Sequence, residues 1–432
     1  MKKVIIGDLS DSANEVAIDN NESKSILVSK IRFLREEMTK AEEELAFHTK
    51  RFLETKNEYG VNVISGISSC IYLPSFFGKD DYMIDIIDGV RNRNLSDEVD
   101  ENTIFDVASI TKMFTLITLL KLVDLGYVSL DEKICDINPD FQHLEDFTLN
   151  DLMRLHGKYS TRGDITKAVS KEEAEEILKT LYLTDNTREE NTYNDFGAIV
   201  IADTLAKRMS EVKHKNITFE DVLKEYVLEP LGMFNTVFNP KTNNVSGNGN
   251  ESSLVHDPKA RILGGVCGHA GLFTNANDLS LLADDIFKAN SNKGKVVSKK
   301  MLDKLSEITF NYTKQYPKGN LGMYRLCPKG LDVSFLPNTR FVGSFASQGW
   351  TGSVAIFDPV NKIHQSILVN TIYSSDSKDE VRNDKPVFFN KAFREYQERV
   401  DELSFKMRCL KNYYDSYKSA LDLESSVKKI KL

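Results

Sequence analysis

Ser109 and Lys112 are the first residues in this chain whose types and spacing could do chemistry. They stand in Phe105-Asp106-Val107-Ala108-Ser109-Ile110-Thr111-Lys112, where a short polar run ending in Asp106 gives way to an apolar helical pattern over Met113 to Leu120. Ser109 sits at the junction, so its hydroxyl lies near the positive end of the helix that follows. Lys112 comes one helical turn later and projects from the same side. A serine hydroxyl is a poor nucleophile until a neighbouring base takes its proton, and a buried lysine with a depressed pKa can be that base. Ser-x-x-Lys is short and recurs by chance, so its meaning depends on what accompanies it.

Two stretches accompany it. Tyr193-Asn194-Asp195-Phe196-Gly197 is a polar turn feeding an apolar helix, and it sets a phenol and a carboxylate side by side. Beside an ammonium, a phenol is pulled toward its anion and can relay protons. Ser347-Gln348-Gly349-Trp350-Thr351-Gly352 opens a strand-like run. Its glycines permit close approach of a substrate backbone, and its main-chain N–H groups could pair with an extended acyl group.

Other polar residues carry blander readings. His256-Asp257 with His269 could suggest a metal or a Ser-His-Asp relay, but Ser, Lys and Tyr already supply a base and no third ligand is spaced for zinc. They are expected to brace a loop behind the site. Gly264, Gly265, Gly268 and Gly271 lack the order and spacing of a dinucleotide fingerprint and read as tight turns. Trp350 is either a wall for substrate stacking or a lid packed on the core. Lys50-Arg51 and Lys428-Lys429 are solvated helix faces.

The elements that must position these residues follow from the rest of the chain. A hydrophobic fraction of 41% and a charged fraction of 28% over 432 residues allow one large domain or two intimate ones. A net charge of −8 with both signs dispersed argues against nucleic-acid binding and against anchoring to anionic lipid. Val4-Ile5-Ile6 is too short for a secretory apolar region, and no stretch is long enough to cross a bilayer. Five scattered cysteines (Cys70, Cys135, Cys267, Cys327 and Cys409) read as reduced thiols of a cytoplasmic protein.

Leu27, Ile31, Leu34, Met38, Ala41, Leu45, His48, Phe52 and Thr55 form an N-terminal heptad series. Phe389, Phe393, Tyr396, Val400, Leu403, Met407, Leu410, Tyr414, Tyr417 and Leu421 form a second at the other end. Between them, strand signals at 61–72 and 82–90 return at 341–345, 354–357 and 365–371, with helical periodicity from 147 to about 287. The expected architecture is a sheet flanked by helices and closed by both halves of the chain around an inserted helical region. Its parts are an irregular start over 1–24, a heptad helix over 25–57, a first part of the sheet domain with the nucleophile helix over 58–146, a helical domain over 147–290, a second part of the sheet domain over 291–387, and a heptad helix over 388–432. At about 1.5 Å per residue the heptads make rods of roughly 45–60 Å. They pack within the molecule, form a coiled-coil stalk, or bind a second copy or another protein.

Taken together, the motifs resemble the serine β-lactamase and penicillin-binding-protein superfamily, in its class C-like branch of β-lactamases, D-peptidases and esterases. Thr103 to Lys112 is similar to that branch's nucleophile segment, and Leu119 to Leu130, Tyr226 to Thr236 and Val255 to Phe273 are similar to its recurring inner segments. Gly349-Trp350-Thr351-Gly352 resembles its Gly-aromatic-Thr-Gly strand. The resemblance implies an α+β fold, with an antiparallel β-sheet flanked by helices, an inserted all-helical domain and the active site between them, and no metal or organic cofactor. It implies that Ser109 attacks a carbonyl and carries the acyl group, that Lys112 and Tyr193 share proton transfer, and that the N–H groups of Ser109 and Trp350 hold the oxyanion. It places Asp195, Ser347, Gln348, Gly349 and Trp350 against the substrate.

Two departures bear on activity. Asp195 stands where the branch often has Asn, and its charge should hold Lys112 protonated. Ser347 stands where Lys or His usually opens the strand motif, which removes a cation that helps bind a substrate carboxylate; Arg340 is one residue that could compensate. Hydrolysis of an ester or small peptide-like amide therefore fits better than β-lactam hydrolysis or D-alanyl carboxypeptidase action. The alternatives are a retired member acting as a scaffold or binding module, and an acyl or peptidyl transferase tailoring a peptide product.

Overall fold

Alternation along one strand organises the sheet. In Ile64–Leu73, Ile67, Ile71 and Leu73 enter one apolar cluster, whereas Cys70 and Tyr72 enter another on the opposite face. A strand buried on both faces needs cover on both, and the chain supplies it from its two ends and its middle. The computed structural model describes residues 22–56, 60, 62–74, 82–91, 96–184, 192–246, 253–307, 319–325, 344–371 and 391–430. Arg340, Phe341, Phe389 and the first 21 residues lie outside them.

Among the described residues the main sheet has six strands, in the order Tyr82–Gly89, Ile64–Leu73, Ile363–Thr371, Val354–Asp358, Phe345–Gln348 and Tyr324–Arg325. Every neighbouring pair is antiparallel. Ile67 pairs with Val369 and Ser69 with Ile367, so the first and last strands of the chain lie side by side at its centre.

One face is covered by the helices Glu22–Leu53 and Lys391–Ile430. They run antiparallel: Glu44 pairs with Arg399 at 3.2 Å, Glu37 with Lys406 at 3.5 Å, and the Phe52 and Phe393 rings meet edge to face at 5.6 Å. Met38, Ala41, Leu45 and Phe52 on one helix and Phe393, Tyr396, Val400, Leu403, Met407 and Leu410 on the other are buried in one cluster with the sheet. His48 is only half-buried, and Thr49 takes the inward place, its hydroxyl bonding the Leu45 carbonyl at 2.8 Å. The two helices therefore pack on each other and on the sheet of the same chain.

The other face packs on the helix Ala276–Ala289, where Ser280 meets Cys70. Beyond it lies the helical region around Thr111–Asp124, which is buried on nearly all sides, as befits a central rather than an amphipathic helix. A second, small sheet joins Val237–Phe238, Leu272–Thr274, Ile104–Asp106 and Val245–Ser246. It fixes the residues that lead directly into Ser109. No helix of the described residues is long and apolar enough to cross a membrane.

Candidate active site

Ser109 is delivered by a strained turn. After the strand Ile104–Asp106 the chain makes a short 3₁₀ turn over Ala108–Ile110, in which Ala108 has φ 44°, and then enters the helix Thr111–Asp124. A non-glycine residue in the left-handed region costs on the order of 1–3 kcal/mol and persists only where its surroundings fix it. Here Asp106 Oδ1 accepts from Ala108 N–H at 2.8 Å, and Thr111 Oγ1 donates to the Ala108 carbonyl at 2.7 Å. Asp106 Oδ2 accepts from His256 N–H at 2.7 Å. Burial pushes the Asp106 carboxyl up to about 6 against these two N–H bonds, which favour its anion. The outcome is a half-exposed Ser109 hydroxyl beside a wholly buried Lys112.

Lys112 Nζ donates to Ser109 Oγ at 3.0 Å, to Asp195 Oδ1 at 2.9 Å and to the His269 carbonyl at 3.3 Å. It lies 5.1 Å from the centre of the Tyr193 ring, and the Tyr193 phenol is a further hydrogen-bond partner. Four acceptors thus surround an amine that carries three hydrogens as an ammonium, so Ser109 and Tyr193 share what the other two leave. Burial by itself would push Lys112 down, but Tyr193 and Asp195 outweigh it and hold the amine above the ordinary lysine range. The expectation of a depressed lysine is therefore corrected, while the expected effect of Asp195 is seen.

Tyr193 and Asp195 are presented by the turn that opens the helix Phe196–Lys213. Asn194 Oδ1 accepts from Gly197 N–H at 3.0 Å, and its amide donates to the Thr192 carbonyl at 2.8 Å, which pins the turn. Tyr193 is 41% exposed and lies against Gly322, where an added Cβ would fall 2.4 Å from the ring. Burial pushes the Asp195 carboxyl up, but Lys112, His269 and Lys259 hold it well below the usual carboxylate range.

The segment Ser347–Gly352 ends a strand and does not open one. Phe345–Gln348 stops at Gln348, and residues 349–353 turn into Val354–Asp358, with Gly349 N–H bonding the Ser353 carbonyl at 2.8 Å. The close approach that Gly349 permits is to the protein's own backbone: a Cβ there would fall 2.2 Å from the Val107 carbonyl oxygen. Thr351 Oγ1 donates to the Asp106 carbonyl at 2.7 Å and ties the turn to the segment that carries Ser109. The Ser347 side chain is buried and Gln348 half-buried, whereas Trp350 is 49% exposed and not packed into the core. Among the described residues, neither the Ser109 N–H nor the Trp350 N–H donates to a protein carbonyl.

A family model described as Beta-lactamase matches residues 68–385. The chain belongs to the beta-lactamase family. It is 26% identical over 317 residues to an N-acetylmuramyl-L-alanine amidase of Bacillus subtilis (strain 168), covering 62% of this chain and 68% of the amidase. A class C beta-lactamase structure superposes with a TM-score of 0.57 at 15% identity, over 90% of this chain and 98% of the other. A D-amino acid amidase from Ochrobactrum anthropi SV3 superposes with a TM-score of 0.58 at 15% identity, over 86% and 99%. These structures share the mixed α+β fold, and family membership marks this beta-lactamase-family chain as a relative of serine hydrolases.

Three residues of the site carry no motif signal of their own: Asp106, Asn194 and Lys259. Lys259 Nζ lies 2.7 Å from Asp195 Oδ2. It belongs to the helix Pro258–Ile262, capped by Asp257, whose Oδ1 takes Ala260 N–H and His269 Nε2, each at 2.8 Å. Asp257 and His269 thus brace the wall behind Lys112, as expected. The fold also brings Asp195 near them, so three ligand-type atoms of Asp195, Asp257 and His269 lie within 4.8 Å of one another, a grouping that sequence spacing did not show. Both Asp195 oxygens are already engaged by ammonium groups, and Asp257 is engaged by His269. The cluster is built as ion pairs.

Proposed function

We propose that this chain is a serine hydrolase that works through a Ser109 acyl-enzyme on an ester or a small peptide-like amide, of esterase or D-peptidase type. The observation that carries this reading is the 3.0 Å contact between Lys112 Nζ and Ser109 Oγ, with the Tyr193 phenol on the same amine. In this reading Ser109 Oγ attacks the carbonyl carbon while its proton passes into the Lys112–Tyr193 pair. The oxyanion develops against the N–H groups of Ser109 and Trp350, a kind of donor whose removal costs roughly 3–4 kcal/mol in comparable sites. The same pair returns the proton to the leaving group, and water then hydrolyses the ester to Ser109. Hydrolysis of a p-nitrophenyl acyl ester tests it: turnover should fall about 10⁴-fold or more in Ser109→Ala. A new amide formed when amines are added would mark acyl transfer instead.

A second reading is favoured by one observation, the Asp195 carboxylate on Lys112. An ammonium held this firmly is a poor base, which suits a family member that binds but does not turn over. Equal ester cleavage by the native chain and Ser109→Ala would support that binding module. An interaction of the terminal helices with a second copy or another protein is a separate proposal, supported by Phe33 and Phe47, 60% and 65% exposed on the N-terminal helix. A solution mass of twice the chain mass, lost in Phe33→Ser/Phe47→Ser, would bear it out; a monomer at all concentrations would end it. A cytoplasmic setting belongs to the same proposal and rests on the scattered cysteines.

A further inference from the structure

The ion pair beside Ser109 does not end at Asp195. One Asp195 oxygen takes Lys112 at 2.9 Å and the other takes Lys259 at 2.7 Å, so two ammonium groups share a single carboxylate. Next to them stands the Asp257–His269 pair. Burial opposes protonation of His269, whereas its contacts with Cys267 and the Asp257 carboxylate favour it. Asp106, His256 and Arg261 stand behind Asp257, with Asp106 tied to the nucleophile turn. Around the seat of Lys112 and Tyr193, two ammonium groups and the His269 imidazole therefore face two carboxylates. Lys259 joins that group through Asp195, the carboxylate that also holds Lys112.

We infer that Lys259 is a positioning residue for Ser109: acting through Asp195, it supplies the positive charge that sets the pH at which Ser109 becomes a nucleophile. The inference rests on the acyl-enzyme reading of Ser109. It does not depend on which of Lys112 and Tyr193 takes the serine proton. A fixed cation near either group favours its deprotonated form, so taking the cation away makes the base hold its proton to higher pH. Without Lys259, the whole of the Asp195 charge also falls on Lys112, which acts in the same direction. Ser347 leaves the strand Phe345–Gln348 with a small, buried, neutral side chain at the third motif, whereas the helix Pro258–Ile262 brings a cation to Asp195.

The test is the rate of covalent labelling by a fluorophosphonate from pH 5 to 10, for the native chain, Lys259→Met and Lys259→Arg, each checked by circular dichroism. Met keeps the stem without the charge, and Arg keeps the charge. The midpoint of the rise should move up by about one pH unit in Lys259→Met, a roughly tenfold slower rate below it, and stay in place in Lys259→Arg. A Met variant that rises at the native midpoint overturns the inference, as does an equal shift in both variants, which would report lost packing and not lost charge. Absence of labelling in the native chain sinks the acyl-enzyme reading and this inference with it. Labelling with an unmoved Met midpoint sinks this inference alone.

Discussion

Asp195 Oδ1 sits 2.9 Å from Lys112 Nζ, so the amine that touches Ser109 is held as one half of a buried ion pair. Because Lys259 shares the same carboxylate, Asp195→Asn would leave two ammonium groups facing each other. Removing one partner of a buried pair costs about 3–5 kcal/mol, and a drop in the unfolding free energy of that order is expected. The native Asp195 carboxyl is held below its ordinary value, so its contribution is fully present above the unfolded pKa of about 3.9 and is lost as pH falls below it. Asp195→Asn should therefore be less stable than the native chain at pH 7 and close to it in strong acid. In labelling, its pH midpoint should move down, opposite to Lys259→Met. Urea melts at several pH values check the first part.

Tyr193 depends on Gly322 for its seat. Tyr193→Phe removes the phenol and should slow acylation about 10²–10⁴-fold, the usual span for a general acid or base. Gly322 has φ 79° and no room for a Cβ beside the Tyr193 ring, so Gly322→Ala should slow acylation as well, by displacing the ring. Combining the two changes should give little more than Tyr193→Phe alone. Pre-steady-state acylation rates for the three variants decide it.

Gly349 is the contact between the turn carrying Trp350 and the segment carrying Ser109. A Cβ at 349 would overlap the Val107 carbonyl, and Gly349→Ala should push the Trp350 N–H out of line. In the proposed acyl-enzyme reaction, loss of one oxyanion donor corresponds to about 10²–10³ in the rate of the chemical step. The expected signature is a fall in kcat with KM nearly unchanged.

Away from the site, Asp85 is buried in the strand Tyr82–Gly89, and among the described residues its Oδ1 has no hydrogen-bond partner. Burial raises its carboxyl to about 6, with Glu101 adding to the effect. A folded pKa above the unfolded one gives stability that is full below about pH 4 and drains as pH rises to about 6. Two units at about 1.4 kcal/mol each make this roughly 3 kcal/mol. Asp85→Asn should therefore melt higher than the native chain at pH 8 and not at pH 4, which thermal scans at the two pH values would show.

The features legible in the sequence are those with a local cause. Ser109 and Lys112 lie within one turn of a continuous apolar pattern, and Tyr193 and Asp195 sit in one short turn, so type and spacing were enough. The terminal helices and the strands Ile64–Leu73 and Tyr82–Gly89 carry their own periodicity. What was hidden is non-local or too short. The strands Ile104–Asp106, Val237–Phe238 and Val245–Ser246 have two or three residues, fewer than an alternation needs. Lys259 meets Asp195 only after folding, and nothing around it in the sequence marks a cation aimed inward. The turn at Gly349 reads as a strand because Val354 to Phe357 follows it, yet the backbone contact with Val107 requires the chain to bend there.

The most direct measurement is the intact mass of the chain after reaction with a fluorophosphonate, followed by peptide mapping of the adduct. A single added group is expected on Ser109, formed by the native chain and absent from Ser109→Ala. An adduct on another residue, an unchanged adduct in Ser109→Ala, or no adduct at any pH from 5 to 10 would contradict it.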